Sequence, residues 1–545
     1  LPSSWQPWIE YAKRLDFEFA EASIMGSENA EKRTILQSHL SSSHSQALYL
    51  NGAPGTGKTF FCFYFLQHHL LKKREKLAWR YVTLSEPLVD HFEREWKQFK
   101  SGPEADKRLM VVDRTSDSTN RSLGGTSLEY LLSKFLVRLV RNPDTTPPTG
   151  ARFGLLTFRR FKERLSEHYA SLKTGQSAPA TSDAWHDYRT LWHHSAGEKF
   201  TKDLDFKAIK NGKMALKEPD LKEFQKFTNE RLKNWKIIEE ASYLATLQLE
   251  AMSDEERSLW QHDVLMVDEI QDLSPPALTF LFCLNRRSFD SKSVLIAGDR
   301  FQTVNRSGFA WNEFTEGTFA CLQHSGKWLN NEHFKRLEGL LFKNGGQVEI
   351  ETLRTQYRNA PKITKFNDSM RAAFGVHYGA EFDDYDGGAQ NLSEQVKQND
   401  KFAQITLCIC KTDEELTDIT NRLQSIETDI TQTSNVAVIT PYDHQDENLF
   451  NGFRSFTVYD GESVKGLEFD GVVVLQPYEL LSDEAASSIG LGSHQSQGFE
   501  ESRIKKWFDS NTQEAEKMRL SFLGLYDNIR TRMNVVFSRP KFTLL

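Results

Sequence analysis

The sequence predicts an α/β protein whose strands are arranged in parallel sheets. An apolar stretch at 48–51 leads through a glycine-rich turn into a helical pattern at 60–72. A second apolar stretch, at 79–85, again leads into a helical pattern, and this alternation is typical of βαβ units. Further apolar stretches of strand length follow at 264–267, 293–297, 436–440 and 471–475.

The chain has 545 residues, which is too many for one hydrophobic core, so we expect several domains. Helical patterns and polar loops replace the strands in the middle of the first half, which predicts a helical insertion into the first α/β domain. The predicted division is a first α/β domain at 1–100 and 245–350, a helical insertion at 101–244, and a second α/β domain at 351–545.

The composition limits the partners and the compartment. The formal net charge is −7, so a surface for nucleic acid has to be a local basic patch. Five cysteines without metal-type spacing suit a reducing compartment, which predicts a cytoplasmic (nucleoid-associated) or nuclear protein rather than a secreted one. No apolar run reaches about 18 residues, so we expect no membrane partner. The start of the chain has neither an initiator methionine nor a signal-peptide pattern, which indicates a fragment or a processed chain.

Residues 52–59 fit the phosphate-binding motif G-x-x-x-x-G-K-[ST]. Glycines let the backbone turn so that its N–H groups converge on phosphate oxygens, and the following helix directs its positive end at the same anion. Lys58 would reach the β- and γ-phosphates of a nucleotide, and the Thr59 hydroxyl would hold Mg²⁺. The predicted nucleotide-binding residues of this loop are Gly52, Ala53, Pro54, Gly55, Thr56, Gly57, Lys58 and Thr59.

An acidic pair, Asp268 and Glu269, follows the apolar stretch at 264–267. A carboxylate at the end of a strand can bind Mg²⁺, a role that we assign to Asp268, and the neighbouring Glu269 can polarise an attacking water. Such a pair is a weak signal by itself. Together with the phosphate loop it predicts hydrolysis of ATP, with Mg²⁺ as cofactor.

The residues that follow this strand carry a family resemblance. Residues 267–275 resemble motif II of the UvrD/Rep/PcrA-type superfamily 1 helicases, whose usual form is D-E-x-Q-D. The resemblance covers 48–545 and implies two RecA-like P-loop NTPase domains with parallel sheets and ATP in the cleft between them. The other motifs occur in the family's order, with 81–85 resembling motif Ia, 297–302 motif III, 353–358 motif IV, 465–469 motif V and 534–539 the end of motif VI.

The resemblance also implies catalytic roles outside the phosphate loop. Arg358 and Arg539 would be arginine fingers that the second domain brings to the γ-phosphate when the cleft closes. Gln302 would sense the γ-phosphate and link hydrolysis to movement.

The same resemblance implies contacts to the nucleoside. Tyr357 would stack on adenine, and Glu468 would contact the ribose. The family carries an adenine-contacting glutamine upstream of the loop, and Gln37 lies at a suitable distance for that role. The implied partner is single-stranded DNA, with RNA as an alternative.

Some positions depart from the family on the nucleic-acid side. Residues 460–462 replace the family's Thr-x-His before motif V and include two carboxylates, which would repel a phosphate. Asn305 and Ser307 stand where the family has base-stacking aromatic residues, although Phe309 and Trp311 are near enough to substitute.

A basic stretch at 199–236 favours nucleic acid, because eleven Lys and Arg residues face six Asp and Glu residues, a net charge of +5. The alternative is a solvated helical face whose aromatic residues lie in the core of the insertion. A smaller basic patch is present at 159–164, and patches of this kind are more often a solvated surface than a functional one. The aromatic residues interleaved in the longer stretch are Phe200, Phe206, Phe224, Phe227 and Trp235.

Two functions remain open at this point. The first is a Mg²⁺-dependent ATPase that translocates on nucleic acid as a helicase or translocase. The second is a nucleotide-driven switch in a larger complex, where an effector protein such as a nuclease supplies the output. Lys465 lies 107 positions after Arg358, so we expect the large insertion of the family's second domain to be absent, which favours the switch.

Overall fold

A computed structural model shows a mixed α/β protein. The described residues are 30–42, 47–73, 77–84, 86–101, 124–139, 154–172, 184–185, 188, 218–232, 235–284, 291–299, 350–367, 391–392, 397, 404–405, 436–440, 457–460, 464, 469–474 and 540–544. Structural statements below refer to these residues.

The described strands are short, and most follow the apolar stretches of the sequence. In chain order they are β1 (Leu48–Gly52), β2 (Trp79–Thr83), β3 (Gly124–Ser127), β4 (Gly154–Leu155), β5 (Trp235–Lys236), β6 (Val264–Val267), β7 (Val294–Gly298), β8 (Ile350–Leu353), β9 (Thr355–Gln356), β10 (Asn391–Leu392), β11 (Gln404–Ile405), β12 (Val436–Thr440), β13 (Thr457–Asp460), β14 (Phe469–Val474) and β15 (Pro540–Leu544).

The described helices lie mainly in the first half of the chain. They are α1 (Ala30–Ser41), α2 (Lys58–Lys73), α3 (Glu86–Ser101), α4 (Leu128–Leu139), α5 (Phe158–Ala170), α6 (Glu218–Arg231), α7 (Ile238–Ala251), α8 (Asp254–Ser258) and α9 (Pro275–Cys283), with short 3₁₀ helices at Ile270–Asp272 and Ser291–Ser293.

Six of the described strands form one parallel sheet in the order β3-β2-β6-β7-β1-β8. The prediction of a parallel α/β sheet is confirmed, because β1, β2, β6 and β7 coincide with the predicted apolar stretches. Five other strands of the described part form a second parallel sheet in the order β11-β15-β14-β12-β13. Two small pairs, β4 with β5 and β9 with β10, complete the described pairing.

Helices cover both faces of the six-stranded sheet. Alternate residues of a strand point to opposite faces, and neighbouring strand residues accordingly fall into two separate buried clusters. One cluster joins the sheet to α4, α7 and α9. The other joins it to α1, α2 and α3. Burial on both faces explains why the central strands β6 and β7 are apolar throughout rather than alternating.

The structure corrects the predicted limits of the insertion at 101–244. β3 pairs with β2 at the edge of the six-stranded sheet, and α4 packs in the sheet's own core. Residues 124–139 therefore belong to the first α/β unit. The residues that do form a separate core come from 156–188 and 224–237.

The predicted boundary at 351 also needs correction. β8 pairs in parallel with β1, so Ile350–Leu353 closes the six-stranded sheet instead of opening the second unit. The segment that follows β8 therefore begins at the edge of the sheet where β1 ends. Within the described residues, no helix combines the length and the apolar character that crossing a membrane requires.

Candidate functional site

The predicted phosphate loop begins where β1 ends, inside the six-stranded sheet. All strands of this sheet are parallel, so the carboxyl ends of β1 and β6 lie on the same edge, where ligands of open α/β sheets bind. One strand, β7, separates them, which places their ends roughly 10 Å apart. The loop after β1 and the acidic pair after β6 therefore face a common crevice.

The loop has the backbone that the glycine pattern predicts. Gly55 and Gly57 have φ angles of 80° and 81°, in the left-handed region that favours glycine. The Thr56 hydroxyl donates to the Ala53 carbonyl at 2.8 Å and fixes the turn. The Lys58 ammonium donates to the Gly52 carbonyl at 2.8 Å and so lies across the loop.

Helix α2 starts at Lys58, directly after the loop, and its first turn holds no acidic residue. Its unpaired N–H groups and positive dipole end are therefore available to an anion at the loop. The loop backbone, the Lys58 side chain and this helix end fit a phosphate chain.

The Asp268 carboxylate links the acidic pair to the loop. Its Oδ2 accepts from the Thr59 hydroxyl at 3.1 Å and from the Tyr81 hydroxyl at 2.9 Å. Its Oδ1 accepts from the Glu269 amide at 2.9 Å. Burial raises the pKa of Asp268 and the Glu269 charge raises it further, while Lys58, the Tyr81 hydroxyl and the Glu269 amide act in the opposite direction. A cation at this carboxylate would offset the cost of its burial.

The pair formed by Thr59 and Asp268 fits Mg²⁺. Adjacent ligands of an octahedral magnesium ion lie about 3 Å apart, and the hydroxyl and carboxylate oxygens here are 3.1 Å apart. Across the described ranges, no group of three or more His, Cys, Asp or Glu residues is placed to hold a metal. Mg²⁺ at nucleotide sites uses one or two protein groups and takes its other ligands from phosphates and water.

Glu269 is held in an unusual backbone conformation. Within the described ranges it is the one non-glycine residue with positive φ, at φ 54° and ψ 45°. Its Oε2 accepts from the Gln271 side chain at 2.5 Å, and Gln271 Oε1 accepts from the Asp299 amide at 3.1 Å. The Gln271 side chain thus links the Glu269 carboxylate to the end of β7 through two hydrogen bonds.

Two side chains of this acidic site were not assigned from the sequence. Tyr81 and Gln271 stand inside motif-like stretches, but their contacts depend on the strand order β2-β6-β7. Tyr81 is fully buried and stacks on Phe92 at 3.7 Å between ring centroids, which fixes its hydroxyl toward Asp268. An aromatic residue in a buried strand gives no sign of such a contact.

The segment after β8 packs directly on the phosphate loop. The Tyr357 amide donates to the Gly55 carbonyl at 2.9 Å, and the Gln356 side chain donates to the Pro54 carbonyl at 2.8 Å. A Cβ at Gly55 would lie 2.0 Å from Gln356 Oε1 and 2.8 Å from Arg358 Cβ. Arg358 therefore adjoins the loop in the segment that continues from the six-stranded sheet, whereas we expected it to come from the second domain.

Helix α1 supplies another unpredicted part of the site. Glu31 accepts from the Arg354 and Thr355 amides at 2.8 and 3.2 Å. The buried Lys32 places its ammonium 3.5 Å from the centre of the Tyr357 ring. Gln37, predicted to contact adenine, is exposed on the same helix, and its role stays a prediction.

Several predicted residues lie outside the described part of the chain. They are the γ-phosphate sensor Gln302, the ribose-contacting Glu468, the arginine finger Arg539, the aromatic substitutes Phe309 and Trp311, and the positions Asn305, Ser307 and 461–462. Asp460, the first of the residues that replace Thr-x-His, ends β13.

In the described part of the basic stretch, some aromatic side chains lie in the core of the insertion and another lies near its surface. Phe224 and Phe227 are fully buried in the core of the insertion, so neither can stack on a base. Trp235 is only partly buried, and the guanidinium groups of Arg160 and Arg164 lie 5.2 and 4.4 Å from its ring centre. These contacts join the basic patch at 159–164 to the end of the longer stretch.

Comparison with known proteins gave no further guide, since no protein-family model and no curated protein matched this chain.

Proposed function

We propose that the protein is a Mg²⁺-dependent ATPase of the helicase or translocase type that acts on nucleic acid, with single-stranded DNA as the favoured partner. The observation that carries the proposal is the junction of Thr59 with Asp268 at 3.1 Å, with Glu269 next to it. This junction joins a phosphate-binding loop to a carboxylate pair, which is the minimum set for activating a water against a magnesium-bound phosphate.

Each residue of the site has a defined task in this proposal. ATP with Mg²⁺ supplies the phosphoryl group and the Lewis acid. Lys58 and the start of α2 neutralise phosphate charge, while Thr59 and Asp268 hold the metal. Glu269 accepts a proton from the attacking water, and Gln271 keeps its carboxylate oriented through the bond at 2.5 Å.

Arg358 is assigned an electrostatic role in this proposal because it adjoins the phosphate loop. Its Cβ lies close to the Gly55 backbone, so its guanidinium group can be directed over the loop where charge grows on the transferred phosphoryl group. Arg539 and Gln302 would add a second finger and a phosphate sensor. Glu468 and Gln37 would contact the ribose and adenine, as the helicase resemblance implies.

The finer architecture is part of the same proposal. We assign the six-stranded and the five-stranded parallel sheets to two RecA-like domains. Closure of one upon the other would convert hydrolysis into movement along the nucleic acid.

A switch or assembly ATPase with an effector partner, such as a nuclease, is the second candidate. Burial of Phe224 and Phe227 favours it, because two of the aromatic residues that could have stacked on bases are core residues. The contacts of Arg160 and Arg164 with Trp235 favour the motor, since they present guanidinium groups at one site on the insertion.

The ATPase rate of the full chain with and without single-stranded DNA or RNA, over a series of salt concentrations, separates the candidates. The motor predicts several-fold stimulation that declines as salt rises, because phosphate contacts release counterions. A measurable rate that neither nucleic acid changes would support the switch. The absence of any ATPase activity would reject both.

A further inference from the structure

A tyrosine of strand β2 contacts the acidic pair from inside the sheet. The Tyr81 side chain is fully buried, and its hydroxyl donates to Asp268 Oδ2 at 2.9 Å. The Asp268 amide donates to the carbonyl of Val82, the neighbour of Tyr81, also at 2.9 Å. Strand β2 therefore holds Asp268 through both its side chain and its backbone.

Packing leaves the Tyr81 ring little freedom to move. The ring stacks on the Phe92 ring of α3, with 3.7 Å between the ring centroids and 8° between the ring planes. Phe92 is itself fully buried and lies against the rings of Phe63 and Trp79. In a close-packed core, a different rotamer would meet neighbouring atoms. The phenol hydroxyl therefore has a fixed position beside Asp268.

The hydrogen bonds of the Asp268 carboxylate differ in whether a metal would replace them. The Thr59 hydroxyl donates to Oδ2 at 3.1 Å, and its oxygen can bind Mg²⁺ when Oδ2 does the same. The Tyr81 hydroxyl on Oδ2 and the Glu269 amide on Oδ1 can stay, because each carboxylate oxygen has two acceptor positions. Both oxygens thus remain held while Oδ2 binds the metal.

The Tyr81 bond favours one placement of the carboxylate. A movement of Asp268 Oδ2 away from the Thr59 hydroxyl would stretch the bond to Tyr81 and deprive a buried hydroxyl of this acceptor, which is unfavourable. Hydrogen-bond partners that orient a metal-binding carboxylate in this way strongly affect the affinity for the metal. The bond therefore keeps the two metal-binding oxygens next to each other.

We propose that Tyr81 is a positioning residue that holds the Asp268 carboxylate where it binds Mg²⁺ together with Thr59. This inference rests on the proposed nucleotide-binding function of the loop. Tyr81 acts through the carboxylate, so it affects the binding of ATP that carries Mg²⁺. The binding of ATP without a metal depends instead on the loop backbone and on Lys58.

The test measures ATP binding to the full chain by calorimetric titration, once with excess Mg²⁺ and once with a chelator. Tyr81→Phe removes the hydroxyl and keeps the ring that stacks on Phe92. We expect its affinity for ATP with Mg²⁺ to fall about tenfold, since the loss of such a partner typically weakens metal binding by that order. Its affinity for metal-free ATP should stay unchanged, which would also show that the loop is folded. Tyr130→Phe, which removes an exposed hydroxyl on α4, should match the unsubstituted protein in both titrations.

A second substitution shows whether the hydroxyl acts through the carboxylate. Asp268→Ala removes the carboxylate and should lower the affinity for ATP with Mg²⁺. Adding Tyr81→Phe to Asp268→Ala should cause no further loss, because the two groups contribute through one hydrogen bond. A further loss in the double variant would contradict the proposed route.

The outcomes separate this inference from the proposed function. If the unsubstituted protein does not bind ATP in either titration, the nucleotide site itself is rejected. If Mg²⁺ adds nothing to its affinity for ATP, the inference is overturned while nucleotide binding stands. The role of Tyr81 alone is rejected if Tyr81→Phe binds ATP with Mg²⁺ normally. It is also rejected if Tyr81→Phe loses affinity equally with and without Mg²⁺, because the hydroxyl would then support the loop and not the metal.

Discussion

At the scale of single residues, the site depends on a strained backbone at Glu269. A left-handed conformation costs a non-glycine residue about 1–2 kcal/mol, so the surrounding contacts must hold it. The Glu269 amide donates to Asp268 and its carboxylate accepts from Gln271. The left-handed backbone ends the extended line of β6 at Glu269, the residue that we propose as the general base.

Gln271→Ala tests this positioning. We expect kcat for ATP to fall about tenfold with little change in KM, because the carboxylate loses orientation while the phosphate-binding groups stay intact. Steady-state ATPase assays provide the measurement, and Gln225→Ala, on the exposed face of α6, is the matched control. An unchanged kcat would show that Gln271 does not orient the base.

Gly55→Ala tests the contact between the loop and the segment after β8. The new methyl would meet Gln356 Oε1 at 2.0 Å, and the φ of 80° disfavours alanine. We expect ATP affinity to fall at least about tenfold, as the loop or the Gln356 side chain must move. Titration with ATP measures the loss, and Thr34→Ala on the exposed side of α1 is the control. Normal affinity in Gly55→Ala would contradict the packing described here.

Site residues that belong to recognisable sequence motifs could be predicted from the sequence. Site residues that only tertiary packing brings together could not. Thr59 and Asp268 belong to motifs that suit phosphate and Mg²⁺, and the structure brings these two side chains into contact. Tyr81 and Lys32 reach the site because β2 lies beside β6 and α1 packs beside the loop. Neither the position of β2 beside β6 nor that of α1 beside the loop can be predicted from the local sequence.

At the scale of elements, helix α7 contains a carboxylate whose ionisation opposes folding. Burial raises the pKa of Glu240 from its ordinary 4.5 to about 6, although the Lys236 ammonium bonded to it acts against this rise. The folded protein therefore holds this proton to a higher pH than the unfolded chain does. As pH rises from 4.5 to 6.5, the free energy of unfolding should fall by about 1.5 kcal/mol because of this group.

Glu240→Gln should remove this pH dependence. The difference in unfolding free energy between the variant and the unsubstituted protein should shift by about 1.5 kcal/mol in favour of the variant between pH 4.5 and pH 6.5. Urea denaturation at both pH values provides the measurement, with the exposed Glu230→Gln as control. A difference that stays constant with pH would show that burial does not perturb Glu240.

Strands β3 and β8 show why the domain limits could not be predicted from the sequence. β3 has the sequence Gly-Gly-Thr-Ser, which carries no apolar run, and it becomes a strand because β2 offers it a parallel edge. β8 lies about 50 residues beyond β7, so its pairing with β1 depends on long-range contacts. The strands that could be predicted are those buried on both faces.

At the scale of the whole molecule, the described residues form a crevice at the edge of the six-stranded sheet and an insertion with a separate core. The insertion has its own core around Phe161, Phe224 and Phe227. Its surface carries Trp235 with two arginines, while the crevice carries the phosphate loop and the acidic pair. If the proposed function holds, substitutions in the insertion and in the crevice should affect nucleic-acid binding and ATP hydrolysis independently.

The double variant Arg160→Ala with Arg164→Ala tests this division. In the motor proposal it should weaken single-stranded DNA binding and reduce the slope of log affinity against log salt by about 1–2, because two cations are removed. Fluorescence anisotropy over a salt series measures both quantities, and ATPase activity without DNA should remain normal. An unchanged affinity and slope would place the nucleic acid elsewhere on the protein.

The central claim is that Glu269 activates water for ATP hydrolysis at the junction of the loop with Asp268. The most direct measurement combines ATP titration with single-turnover hydrolysis for Glu269→Gln, which keeps the size of the side chain and removes its basicity. We predict ATP affinity within about threefold of the unsubstituted protein and a hydrolysis rate lowered at least about 100-fold. Hydrolysis at an undiminished rate by Glu269→Gln would contradict the account.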